Sequence, residues 1–85
     1  APNSETIQNQ RMEAAFWIVE AEYQEDLLQN AVRGYQTFLS EYPTSNRAEE
    51  ALYGLGWAQF RLRQFNESAA TFTRLLREYP QSGFA

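Results

Sequence analysis

The chemistry open to this chain is that of carboxylates, guanidinium groups and aromatic rings. Its 85 residues include no His, no Cys and no Lys. Imidazole bases, thiolate nucleophiles, disulfides and Cys/His zinc sites are therefore excluded. The remaining candidates for acid–base work are the carboxylates. Glu49 and Glu50 are adjacent, so on a helix they point to different faces; Glu20 and Glu22 are two apart and also diverge. Neither pair is arranged to share a proton or to flank a scissile bond. No set of acids converges as a metal cage would require. Solvated helix faces account for these residues. The expectation is no catalytic site, no metal site and no cofactor, hence no enzyme.

The arginines and tryptophans are better suited to recognition. Arg61 and Arg63 fall at the end of a helical stretch, where cations complement the helix dipole. Arg74 and Arg77 are one turn apart further on. A charged surface explains them; an acidic partner segment is the alternative. Trp17 and Trp57 are the two tryptophans, and Trp and Arg are enriched at interface hot spots. The net charge of −4 argues against non-specific nucleic-acid binding and against docking on anionic lipid. No apolar run approaches the ~20 residues of a membrane span.

These side chains are carried by a repeat. Tyr42-Pro43-Thr44-Ser45 recurs as Tyr79-Pro80-Gln81-Ser82, 37 residues later. The same shift superposes Glu13 on Glu50, Ala14 on Ala51, Ala21 on Ala58, Leu39 on Leu76 and Ala48 on Ala85, with similar residues at Phe16/Tyr53, Ile18/Leu55 and Tyr35/Phe72. A fixed period of roughly 20–50 residues marks a stacked-repeat architecture.

Apolar spacing predicts four helices, over about 5–24, 27–41, 47–62 and 67–79, after an irregular lead-in at 1–4. The buried stripes are Ile7, Met12, Phe16, Ile18 and Val19, then Leu28, Val32, Tyr35 and Leu39, and in the last helix Ala69, Phe72, Leu75, Leu76 and Tyr79. Asp26/Gln29 and Asn46/Glu49 read as capping boxes. Asn66 reads as a cap with Phe65 as its hydrophobic staple. Pro43 and Pro80 stop the second and fourth helices. Gly34, Gly54 and Gly56 cost helix propensity, which close helix approach would offset. Turns of about four residues force antiparallel hairpins. The fold class is all-α: tandem helical hairpins in one domain over 1–85, with repeat 1 at about 5–43, repeat 2 at about 46–80 and the start of a third at 81–85. The apolar face left on the last helix points to a piece of a longer array, or to a homo-oligomer through that end.

The run from Ala51 to Phe60, with Leu55-Gly56, then Phe65, Ala69, Phe72, Leu75-Leu76 and Tyr79-Pro80, resembles a tetratricopeptide repeat. The hairpin over 14–45 matches more weakly, with Val19-Glu20 in place of Leu-Gly. The Tyr-Pro-x-Ser connector lengthens the repeat. It is similar to the variant in bacterial envelope proteins, among them the Tol-Pal cell-division coordinator and the D lipoprotein of the outer-membrane barrel assembly machine.

The resemblance implies that the first helix of each hairpin lines a concave surface. It implies a protein–protein scaffold binding a partner peptide or helix there, in the periplasm or cell envelope, the alternative compartment being the cytoplasm. The partner-binding candidates on that surface are Trp17, Glu20, Gln24, Tyr53, Trp57 and Arg61. For Trp17 a second reading is open: bulk packed into the gap left by Gly54. The alternative function is a spacer or self-assembly module with no ligand of its own.

Overall fold

The computed structural model describes residues 3–84; the expectations for Ala1, Pro2 and Ala85 lie outside them. The architecture is all-α, four helices in two tandem hairpins: α1 (Ser4–Gln24), α2 (Leu28–Glu41), α3 (Ala48–Arg61) and α4 (Phe65–Glu78). No strand occurs among the described residues. The side chain of Asn3 opens α1 by accepting from the Thr6 N–H at 2.8 Å.

The turns inside the hairpins are tighter than expected, spanning 25–27 and 62–64. Both close in the same way. The Asp26 and Leu27 N–H groups donate back to the Tyr23 and Glu22 carbonyls, at 3.1 and 2.9 Å. The Arg63 and Gln64 N–H groups donate to those of Phe60 and Gln59, at 2.9 and 2.8 Å. This is the Schellman pattern, with the left-handed position held by Asp26 and by Arg63, each at φ 63°. Asp26 therefore ends α1 and does not cap α2, which has no side-chain cap. Asn46 does not cap α3 either; the Ser45 carbonyl and hydroxyl take the N–H groups of Ala48 and Arg47. Asn66 lies inside α4, and Phe65 is that helix's first residue rather than a staple. Relative to the expected caps, α4 begins one residue upstream of Asn66, whereas α2 and α3 each begin two residues downstream of Asp26 and Asn46.

The core is continuous. Met12, Phe16 and Val19 of α1 meet Ala31, Tyr35 and Phe38 of α2, and α3 adds Ala51, Leu52, Leu55 and Ala58. Helix α3 packs against α1, α2 and α4, whereas α4 touches only α3 among the described helices. That asymmetry corrects the expected stripes. Ile7 and Ile18 are exposed on α1, and Leu76 is 53 % exposed on α4. Ala69 is exposed, and Phe72 and Tyr79 are half-buried. Val32, Tyr35 and Leu39 of α2 are buried; one period on, Ala69 and Leu76 are exposed, as is Phe65, and Phe72 is half-buried against Tyr53 and Trp57 of α3. On its inner side α4 buries Ser68 and Thr71, which donate to the Gly56 carbonyl at 2.8 Å and to Gln59 Oε1 at 2.6 Å.

Close approach explains the helical glycines. A Cβ on Gly34 would meet Val19, and one on Gly56 would meet Phe72. The gap at Gly54 is filled by Tyr35 from α2, not by Trp17. Packing into that gap is therefore excluded as the role of Trp17.

Candidate functional site

A groove of about 250 Å³ runs between α1 and α3. Glu20 and Gln24 line it from α1, and Tyr53 and Trp57 line it from α3. Their spacing along each helix, four residues, keeps each pair on one face. Tyr23, Tyr35, Glu50, Gly54 and Phe84 complete the lining. Four of the six expected partner-binding residues thus come together.

Trp17 and Arg61 do not line the groove. Trp17 is 52 % exposed, one turn along α1 from Glu20. Its indole N–H donates to Glu13 Oε2 at 3.0 Å, and the Arg47 guanidinium lies 5.2 Å from its ring centre. Arg61 donates to Asp26 at 2.6 Å and sits 5.4 Å from the Tyr23 ring, so it meets the groove only through that tyrosine. Trp57 is 37 % exposed, with its ring edge-on to Tyr53, Phe60 and Phe72 at 5.4–6.2 Å.

Two carboxylates expected to be merely solvated are engaged. Glu20 accepts from the Tyr35 hydroxyl at 2.6 Å. Burial, then the Glu20 carboxylate, push the Tyr35 phenol well above the ordinary tyrosine range. Glu50 accepts from Arg47 Nη1 at 2.8 Å.

Arg47 is the residue that sequence reasoning missed most plainly. It forks onto Glu13, Nε to Oε1 at 3.0 Å and Nη2 to Oε2 at 3.1 Å, while its Cζ lies 5.2 Å from the Phe16 ring centre. This hydrogen bonding, more than charge alone, holds the Glu13 carboxyl below its usual value. The signal was present in the repeat: Glu13 and Glu50 occupy matching positions, and Arg47 follows Phe16 by the same interval that separates Phe84 from Tyr53. Phe84 does rest on Tyr53, with ring centres 5.0 Å apart.

Three of the seven arginines are engaged by carboxylates among the described residues. Arg47, Arg61 and Arg74 each hold an ion pair, the last with Glu78 at 2.9 Å. The groove is lined by two carboxylates and no arginine, which counts against an acidic partner segment at that place. Among the described residues no cluster of three or more acidic side chains is placed to hold a metal ion. A wider hollow of about 760 Å³ lies between the first turns of α1 and the connector at 42–46, lined mainly by polar side chains. No described helix is long and apolar enough to cross a membrane.

No curated protein matches the chain. The Tetratricopeptide repeat family model matches it twice, over residues 13–45 and 50–82, one match on each hairpin. The chain belongs to the tetratricopeptide repeat family, whose helical stacks generally mediate protein–protein interaction without enzymatic activity.

Proposed function

We propose that this chain is a scaffold that binds a peptide segment of a partner protein in the groove between α1 and α3. The observation that carries this reading is the convergence of Tyr53 and Trp57 from one repeat with Glu20 and Gln24 from the other. Aromatic faces supply contact area at low entropic cost, and the polar rim sets orientation. The chain's own Phe84 already rests against Tyr53, which supports the groove as a seat for a side chain from an extended segment. A bacterial envelope setting is part of the proposal and rests on the Tyr-Pro-x-Ser connector.

The test is a displayed peptide library selected against wild type and against Gln24→Trp, with helicity checked by circular dichroism. Gln24 is exposed on the groove wall, so the variant narrows the groove without touching the core. Peptides enriched by wild type alone support the reading. Enrichment that is equal on both proteins sinks it.

A second reading, self-association through α4, is favoured by its exposed Phe65, Ala69 and Leu76. Against it, docking a second copy's α1 there as α3 docks on α2 would bring Trp17 to the position Gly54 needs empty. Sedimentation that stays monomeric up to about 1 mM would leave the groove reading alone.

A further inference from the structure

The chain contains a worked example of how it holds a guanidinium group. Arg47 lies over the Phe16 ring while Glu13, one turn before Phe16, takes its fork through two nitrogens. A planar cation is thus bound by a ring and a carboxylate spaced i, i+3 on one helix face.

One period later the same pair recurs as Tyr53 and Glu50. Here the connector residue that would play the part of Arg47 is Phe84. It covers Tyr53 but brings no charge to Glu50. Glu50 keeps one tie, from Arg47, and Glu20 on the opposite wall accepts only from the neutral hydroxyl of Tyr35. The second seat is therefore built like the first, lies inside the groove, and lacks its own cation.

We infer that the groove takes an arginine side chain of the partner segment, stacked on Tyr53 and paired with Glu50 as Arg47 is with Phe16 and Glu13. This rests on the groove reading above and names the ligand chemistry for it. Phe84 swings off Tyr53 when the guanidinium arrives. Lysine fits less well, because its point charge cannot cover the ring and fork onto the carboxylate together.

The experiment is an amide-resolved NMR titration of the full chain with two acetylated pentapeptides, Ala-Ala-Arg-Ala-Ala and its counterpart with citrulline in place of arginine. Citrulline keeps the shape and loses the charge. The expected result is saturable shifts at Tyr53 and the Trp57 indole, with the arginine peptide binding about tenfold tighter. Glu50→Gln should remove that preference, and Phe84→Ala should strengthen arginine binding severalfold. Arg47 keeps Glu13 in the Glu50 variant, so the fold is retained. Equal binding of both peptides overturns the arginine assignment and leaves the groove standing. No shift from either peptide overturns both.

Discussion

The ring of Tyr35 occupies the space that a side chain on Gly54 would need. A Cβ built on Gly54 would lie 2.5 Å from Tyr35 Cζ and 2.6 Å from its hydroxyl oxygen. Tyr35 belongs to α2 and Gly54 to α3, so the contact crosses from one repeat to the next.

Gly54→Ala should therefore destabilise the protein. Alanine gains about 1 kcal/mol of helix propensity over glycine, but overpacking costs about 1–3 kcal/mol. The overpacking term wins, because Tyr35 is buried and its hydroxyl is tied to Glu20. Urea unfolding beside Gly83→Ala provides the control, since a Cβ on Gly83 meets nothing within 4 Å. A Gly54→Ala protein as stable as wild type would refute the steric account.

Tyr35 also sets an alkaline limit. Its folded phenol titrates above the ordinary tyrosine value of 10.0, so the folded state holds this proton more tightly than the unfolded chain does. The resulting stability is complete below about pH 10 and is lost as pH climbs from there toward the folded value. Tyr35→Phe should lose about 0.5–1.5 kcal/mol at neutral pH with the hydrogen bond to Glu20. Above pH 10 its stability should fall less steeply than that of wild type. Parallel slopes in the two proteins would remove Tyr35 as the cause.

At the acid end the sign reverses. Glu13 titrates below the ordinary carboxylate value of 4.5 because Arg47 donates to it. Its contribution is present above that value and is lost as pH falls through the lowered one. Trp17 reports on this, because Glu13 accepts from its indole and Arg47 lies over its ring. In a Trp57→Phe background, Trp17 emission should change on acidification before the helices melt. Adding Glu13→Gln should abolish that early change.

The left-handed turns offer a stabilising substitution. Arg63 holds φ 63° with no side-chain ion pair. An L-residue in that conformation costs roughly 1–2 kcal/mol. Arg63→Gly is expected to gain about 0.5–1 kcal/mol, after the greater freedom of glycine in the unfolded chain is subtracted. Asp26→Gly should gain less, since it forfeits the 2.6 Å contact with Arg61. Thermal denaturation of the two variants side by side checks the ranking.

Helix number, order and family were legible in the sequence because apolar spacing and the Tyr-Pro-x-Ser period act locally and repeat. The caps were not. Asp26 has the side chain of a helix-opening residue, yet backbone geometry uses it to close α1, and no glycine marks the spot. Burial on α4 was misjudged for a different reason. A periodic stripe shows which side of a helix is apolar, but Leu76 is buried only if another helix covers it. Of the groove, Glu20, Gln24, Tyr53 and Trp57 could be placed because the family resemblance puts the first helix of each hairpin on the concave surface and helical spacing puts these residues on one face. Arg47 and Phe84 come from connectors, and what they rest on depends on how the chain returns across α1 and α3.

The position of α3, in contact with α1, α2 and α4 while α4 has α3 alone, implies an order of opening. Fluctuations that free α4 break one helix–helix interface, whereas those that free α3 break three. Amide hydrogens should accordingly exchange slowest in the middle of α3, around Leu52 and Leu55, and faster along α4. The groove's aromatic wall would then stand on the last part of the molecule to come apart.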